Sequence, residues 1–256
     1  MTRDLAEPSD ALLERAFLDE AVIEAGWRAP GAVAPDGVAL ETGDPHASLR
    51  AMVRLLGERG VLALVLNAAD GGRFDAVQWR AVCLARERLG HASPLLELAF
   101  AMQGLGSYAI SQFGDADQRA LDYTDAISLA RLGWSALAVG TSQAVLDYVI
   151  PYVNDREAFG EPISNRQAVA FMVANIAIEL DGLRLVTLRG ASRAEQGLSF
   201  TREAALARRL ASEKGMQIGS DGVQLLGGHG FTKEHPVERW YRDLRAVGVA
   251  EGIVLI

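Results

Sequence analysis

Residues 165–195 read NRQAVAFMVANIAIELDGLRLVTLRGASRAE. Large apolar side chains recur in this stretch three or four positions apart, at Val169, Met172, Val173, Ile176, Leu180, Leu183 and Val186. This spacing places them on one face of an α-helix, so it predicts a long helix with one buried side. No useful length of the chain alternates apolar and polar residues with the period of two that a half-buried β-strand requires.

Further helices are predicted on both sides of this one. Helical spacing and turn residues predict helices over residues 9–27, 46–59, 75–90, 94–113, 125–153, 202–226 and 236–245. A loop is predicted from Pro30 to Pro45, and the apolar run 61–66 is compatible with either a buried strand or a helical turn. We therefore predict an all-α fold with two domains, an N-terminal helical domain (1–123) and a C-terminal up-down four-helix bundle (124–256).

Composition limits the possible functions. The 256-residue chain carries a formal net charge of −8, which argues against a nucleic-acid partner because such proteins usually present a basic face. Cys83 is the single cysteine and the four histidines are scattered, so we expect no disulfide within the chain and no metal site. We predict neither a secretory signal nor a membrane span, which makes the cytoplasm the expected location.

Three motifs could form a ligand site. In Arg156-Glu-Ala-Phe159-Gly160, the arginine could hold a phosphate while the phenylalanine ring covers an aromatic ligand. The glycines of Leu226-Gly-Gly-His-Gly-Phe231 let the backbone approach a ligand, although no dinucleotide-binding fingerprint is present. Glu251 has apolar neighbours, and burial there would raise the pKa of its carboxyl and suit a general base. Taken singly, each motif is more typical of a helix end, a turn or a surface loop.

The order of these motifs is more specific than any one of them. The chain resembles the C-terminal domain of the acyl-CoA dehydrogenase family in carrying, in sequence, Arg156-Glu-Ala-Phe-Gly160, Gln167, Gln224-Leu-Leu-Gly-Gly-His-Gly-Phe231, Arg242-Asp243 and Glu251-Gly252. In the N-terminal half, Glu87-Arg-Leu-Gly-His-Ala-Ser-Pro94 and Phe113-Gly114 also resemble that family. The resemblance therefore covers nearly the whole chain.

The resemblance implies an FAD-dependent enzyme that oxidises an acyl-CoA thioester at the α,β bond. Glu251 would take the α-proton while a hydride passes from the β-carbon to the flavin. Arg131 and Gly252 would lie near the substrate, and the residues that would contact the FAD of a neighbouring subunit are Arg156, Phe159, Gln167, Gln224, Gly227 and Gly228. Such a shared site implies a homomeric or heteromeric dimer or tetramer, with electron-transfer flavoprotein as the expected electron acceptor.

The chain also departs from the family pattern. About a hundred residues, the size of a small domain, are missing at about 118–126, where the family has a middle β-domain that walls the flavin and thioester pockets. Ala250 stands where the family usually has an aromatic residue, and Ile253 where it usually has threonine. Two interpretations follow: an active dehydrogenase, or a catalytically impaired or flavin-less partner subunit that acts as a structural component of a hetero-oligomer.

Overall fold

The structure is a computed structural model that describes residues 18–42, 44–113 and 123–249. Nearly all of these residues are helical, so the predicted all-α fold is confirmed. The predicted helix over 9–27 lies partly outside the described residues, and its described part begins at Glu20. Among the described residues, no helix is both long enough and apolar enough to cross a membrane.

Within its described residues, the N-terminal region has five α-helices around one apolar core. They are α1 (Glu20–Ile23), α2 (Ala29–Ala39), α3 (Pro45–Glu58), α4 (Trp79–Ala92) and α5 (Pro94–Phe113), with a π-helical turn (Glu24–Arg28) between the first two. Trp27, Met52, Leu56, Leu84 and Phe100 are among the fully or nearly fully buried side chains of this core. The run that was compatible with a strand or a helical turn forms a short 3-10 helix, Val61–Val65.

The predicted loop from Pro30 to Pro45 is wrong over most of its length, because α2 occupies Ala29–Ala39. Pro30 lies directly after the π-helical turn, inside a helical stretch that runs without a break from Glu20 to Ala39. Pro35 lies inside the helix but is exposed, while Val33 and Ala34 are buried in the N-terminal core. Burial of this helical face against the rest of the region outweighs the low helix propensity that proline and glycine give the segment.

The C-terminal region is the predicted four-helix bundle. Its helices are α6 (Tyr123–Asp155), α7 (Gln167–Glu195), α8 (Thr201–Leu226) and α9 (Val237–Val247), and their buried core includes Val145, Ile176, Leu180, Ile218 and Leu244. A two-stranded hairpin, β1 (Glu157–Ala158) and β2 (Glu161–Pro162), connects α6 to α7. These strands lie between the predicted helices over 125–153 and 165–195.

The two regions pack tightly through α4 and α6. A Cβ atom at Gly140 would lie 2.0 Å from the carbonyl oxygen of Glu87, so only a residue without a side chain permits this approach of the two backbones. The His91 imidazole also contacts the Asp147 carboxylate at 2.8 Å across the same pair of helices. The long helix α6 therefore forms part of the bundle and also packs against α4 of the N-terminal region.

Candidate functional site

A cavity of about 640 Å³ lies at one end of the bundle, where α6 and α8 end and α7 begins. This volume is within the range of small-molecule pockets in proteins. Five of the predicted cofactor-binding residues line it, namely Arg156, Phe159, Gln224, Gly227 and Gly228. These residues come from segments nearly 70 positions apart, which only the antiparallel arrangement of the helices brings together.

A tight hairpin presents Phe159 at the mouth of the cavity. Ala158 pairs with Glu161, so Phe159 and Gly160 form a two-residue loop in which both residues have positive φ, 59° and 85°. This geometry is that of a type I′ turn, which favours asparagine followed by glycine. A phenylalanine with positive φ is an outlier that costs conformational energy, and outliers of this kind cluster at ligand sites. The ring is also 96 % exposed, so it contributes little to the core of this chain.

The cavity has a positively charged side. Arg156 lines it, and its guanidinium forms no hydrogen bond or ion pair with the residues that the structure describes. The Arg166 guanidinium also lines the cavity, lies 5.5 Å from the centroid of the Phe159 ring and pairs with Glu161 at 3.2 Å. Helix α7 begins directly after Arg166, and the unpaired N–H groups of a helix N-terminus attract anions. This side of the cavity therefore suits a phosphate group.

The opposite side is formed by the turn after α8. Gly227 has φ 59° and ψ −134°, a backbone conformation that residues with a side chain rarely adopt. A Cβ atom at Gly228 would meet nothing within 4 Å, so this stretch of backbone is open to a ligand. Apolar side chains from α7 and α8, including Val169, Met172 and Leu225, complete the lining.

Two tyrosine–histidine pairs support this turn from α6. The Tyr152 hydroxyl lies 3.2 Å from Nδ1 of His229, and the Tyr148 hydroxyl lies 2.8 Å from Nδ1 of His235. The two imidazole rings stack with their centroids 5.4 Å apart. Burial raises the pKa of Tyr148, so its hydroxyl stays protonated and can donate to His235. The pairs fix the position of the segment that follows the glycines.

Two other predicted site residues, Gln167 and Arg131, are not among the residues that line the cavity. Gln167 is exposed at the first position of α7, between Arg166 and Ala168, which do line the cavity. Arg131 lies on α6, 21 residues before Tyr152, which separates the two by about 30 Å along the helix axis. Glu251 and Gly252 lie outside the described residues.

Sequence reasoning missed several residues of the site. Tyr152, Arg166 and His229 line the cavity, and none of them was predicted to have a role. His229 lies inside the glycine motif and Arg166 directly precedes Gln167. Their positions inside or beside the motifs could therefore have identified these two residues as members of the site. Tyr152 lies on α6, four residues before Arg156, and only the fold shows that it contacts His229.

Comparison with known protein families gives two matches that together span most of the chain. Residues 32–123 match the acyl-CoA dehydrogenase N-terminal domain, and residues 122–253 match the acyl-CoA dehydrogenase C-terminal domain. The two matched ranges meet at residues 122–123, which is consistent with the absence of a middle domain between them.

Individual relatives and solved structures agree with these matches. The chain is 40% identical over 126 residues to the short-chain specific acyl-CoA dehydrogenase of Bos taurus mitochondria, covering 49% of this chain and 31% of that protein. It is 34% identical over 142 residues to the caffeyl-CoA reductase-Etf complex subunit CarC of Acetobacterium woodii, covering 56% of this chain and 38% of that protein. The chain thus spans less than half the length of these relatives. The butyryl-CoA dehydrogenase structure from Megasphaera elsdenii has the same fold, with a TM-score of 0.73, 18% identity and coverage of 98% of this chain and 96% of that one.

Proposed function

Because the chain belongs to the acyl-CoA dehydrogenase family, we propose that it takes part in the FAD-dependent α,β-dehydrogenation of an acyl-CoA thioester. Homologues in this family are FAD-binding flavoproteins. The observation that carries the proposal is the convergence of Arg156, Phe159, Gln224, Gly227 and Gly228 around one cavity.

The residues of the cavity fit part of a flavin dinucleotide. Arg156 and the N-terminus of α7 would hold a phosphate, since guanidinium donors and helix N–H groups both bind phosphate oxygens. Phe159 would cover an aromatic ring, because its own ring is exposed and held in a strained turn. Gly227 and Gly228 would allow the cofactor to lie against the backbone. The cavity of about 640 Å³ suits a portion of the dinucleotide, with the rest outside this chain's cavity.

Bound FAD would supply the hydride acceptor of the reaction. This chain would supply the base: the Glu251 carboxylate would remove the α-proton of the thioester as the β-hydrogen leaves with its electron pair. An apolar setting keeps such a carboxylate desolvated, which raises its pKa and makes it a stronger base. Gly252 would approach the substrate closely.

The proposed assembly is a dimer or tetramer, either of this chain or with a related subunit. The cavity is open on one side, and a cofactor held partly by Arg156 and Phe159 needs a second wall. In relatives that retain a middle domain, that domain and a neighbouring subunit would provide it. Electron-transfer flavoprotein is the proposed electron acceptor, which the name of the CarC relative supports by referring to an Etf complex.

A second candidate function is supported by the missing middle domain and by Ala250 and Ile253. The matched ranges leave no room for that domain between them, and without it this chain would lack one wall of the thioester pocket. The chain would then be a partner subunit that has lost its own catalysis and completes the cofactor site of a related subunit. It would keep Arg156, Phe159 and the glycine turn for that purpose.

The absorption spectrum of the purified protein tests the proposal. We expect a flavin spectrum, or its appearance when FAD is added in excess, and anaerobic bleaching by an acyl-CoA thioester. A protein that binds FAD without being bleached by any thioester would favour the partner-subunit function. Failure to bind FAD, both alone and with a co-expressed full-length relative, would contradict both functions.

A further inference from the structure

Two histidines beside the glycine turn form a stack that can exchange a proton. The imidazoles of His229 and His235 lie with their centroids 5.4 Å apart and an interplanar angle of 15°. Nδ1 of His229 contacts the hydroxyl of Tyr152, and Nδ1 of His235 contacts the hydroxyl of Tyr148. A phenol hydroxyl can donate to a neutral imidazole or accept from a charged one. Both charge states of the stack therefore fit this geometry, and histidine changes charge within the range from about pH 5 to 8.

Cations at the cavity oppose a positive charge on the stack. His229 lines the cavity together with Arg156 and Arg166. The Arg166 guanidinium pairs with Glu161, whereas the Arg156 guanidinium forms no ion pair or hydrogen bond within the part of the chain that the structure describes. Without an anion between them, a protonated imidazole and the Arg156 guanidinium would repel one another. An anionic ligand in the cavity would offset that repulsion.

A carboxylate beside the stack favours a proton there. Glu234 directly precedes His235, and a hydrogen bond from Thr232, together with the nearby imidazoles of His235 and His229, lowers the pKa of the Glu234 carboxyl. Glu234 is thus an anion in place to stabilise a charge on the stack. The charged residues of the neighbouring segments are Asp155 at the end of α6, Asp221 near the end of α8, Lys233 next to Glu234, and Glu238 and Arg239 in the first turn of α9. Each of the last two already pairs with an opposite charge.

We propose that the stack of His229 and His235 takes up one proton when the pyrophosphate of the cofactor enters the cavity, so that cofactor affinity rises as the pH falls. The inference rests on the proposed function for the identity of the ligand and adds a regulation of that site. The negative charge of the pyrophosphate would offset the repulsion from Arg156 and leave the attraction of Glu234. Two charged imidazoles would lie 5.4 Å apart, which limits the uptake to one proton. Because linkage is reciprocal, the proton strengthens ligand binding as much as the ligand strengthens protonation.

Calorimetry in buffers with different ionisation enthalpies measures the protons exchanged on binding. FAD titrated into flavin-free protein at about pH 7 should be bound with uptake of a fraction of one proton. Its affinity should be on the order of tenfold higher at about pH 6 than at about pH 8. ADP-ribose carries the same pyrophosphate without the flavin and should behave alike, since neither probe has a group that titrates in this pH range. Binding without proton uptake, or with proton release, overturns the inference.

A double variant assigns the proton to the stack. His229→Gln with His235→Gln keeps two amide donors that cannot change charge, so FAD affinity should become independent of pH and proton uptake should vanish. His46→Gln, on α3 of the N-terminal region, is the matched control and should keep both effects. Far-UV circular dichroism checks that the variants are folded. A double variant that is folded and still takes up a proton overturns the inference.

Nitrogen NMR of the histidine rings gives a reading that needs no folded variant. Addition of either probe to the unmodified protein at about pH 7 should move the His229 and His235 resonances toward those of a charged imidazole, and unchanged resonances contradict the inference. Three outcomes separate it from the proposed function. FAD bound without proton uptake contradicts only the inference. Proton uptake in a protein whose flavin no thioester bleaches contradicts only the dehydrogenation. Failure to bind either probe, alone and with a co-expressed full-length relative, contradicts both.

Discussion

The guanidinium of Arg184 donates a hydrogen bond to the carboxylate of Glu87 at 2.9 Å, and each side chain is less than a tenth exposed. Arg184 lies on α7 of the bundle and Glu87 lies on α4 of the N-terminal region, 97 positions earlier. The same guanidinium also donates to Asp181 at 3.1 Å and to the side-chain carbonyl of Gln143 at 2.8 Å. One buried cation thus connects α4, α6 and α7.

We expect Arg184→Met to destabilise the protein strongly. The variant leaves the Glu87 carboxylate buried without its cation, and breaking a buried pair in this way costs about 3–5 kcal/mol. The free energy of unfolding from urea titration measures the effect. The double variant Arg184→Met with Glu87→Leu removes both charges and should recover much of the loss. A double variant as unstable as the sum of the single variants would show that the two residues do not act as a pair.

We expect Arg156→Ala to weaken FAD binding roughly tenfold to a hundredfold, because a hydrogen bond to a charged group contributes about 1.5–3 kcal/mol. The FAD affinity of Arg156→Lys should fall between that of the unmodified protein and that of Arg156→Ala, since a lysine keeps the charge but lacks the planar fork of donors. Fluorescence titration with FAD measures both. Arg209→Ala removes an exposed arginine that pairs with Glu213 and should leave FAD binding unchanged. If Arg156→Ala and Arg209→Ala bind FAD with equal affinity, Arg156 does not belong to the cofactor site.

We expect Phe159→Asn to have opposite effects on stability and on binding. Asparagine adopts positive φ more readily and suits the first position of a type I′ turn, so the free energy of unfolding should rise by about 0.5–1 kcal/mol. FAD affinity should fall, because the ring that would cover the ligand is lost. Gly160→Ala is the matched control: its φ of 85° disfavours alanine, so it should lower stability. A loss of stability in Phe159→Asn would mean that the ring packs against the chain in solution.

Asp243 is expected to make stability depend on pH. Burial raises the pKa of its carboxyl to about 6, an effect that Glu41 and Glu238 reinforce and Arg239 and Arg242 oppose. One of its oxygens has no hydrogen-bond partner among the described residues. Between the ordinary aspartate pKa of about 3.9 and the raised pKa, the folded state binds more protons than the unfolded state. The stability that this group contributes therefore decreases as the pH rises from about 4 to above 6.

Asp243→Asn should remove this dependence. At pH 7 the variant should be more stable than the unmodified protein by on the order of 1 kcal/mol, since partial exposure of the carboxyl screens the full effect. At pH 4 the difference should nearly vanish. Urea unfolding of both proteins at a series of pH values measures the difference, and a difference that does not change with pH would mean that Asp243 has an ordinary pKa.

We expect Glu251→Gln to leave acyl-CoA binding largely intact while slowing flavin reduction. Loss of a general base typically reduces the rate on the order of a hundredfold to ten-thousandfold. Anaerobic stopped-flow measurement of flavin bleaching after mixing with a thioester gives the rate, and thioester affinity serves as the internal control. If flavin in the Glu251→Gln variant is bleached as fast as in the unmodified protein, Glu251 is not the base. This experiment applies to a preparation that contains flavin.

The sequence by itself determined the helical fold and the family. The spacing of apolar residues in 165–195 reflects helix periodicity and predicts a helix without any knowledge of the tertiary structure. The order of Arg156, Gln167, the glycine motif and Glu251 can likewise be read directly from the sequence, and it indicates the family. The sequence was least informative where local propensity and packing disagree. Proline and glycine in residues 30–39 predict a loop, yet α2 forms because burial of Val33 and Ala34 favours the helix.

Only the tertiary structure decided which of these residues come together. Arg156 and Gln224 are 68 positions apart, and nothing local relates them; both line one cavity because α6 and α8 end on the same side of the bundle. The positive φ of Phe159 and the contact of Tyr152 with His229 likewise depend on how the helices are connected and packed. Helix periodicity is encoded within a few residues, whereas a ligand cavity results from contacts between residues far apart in the chain, and single-sequence patterns do not record those contacts.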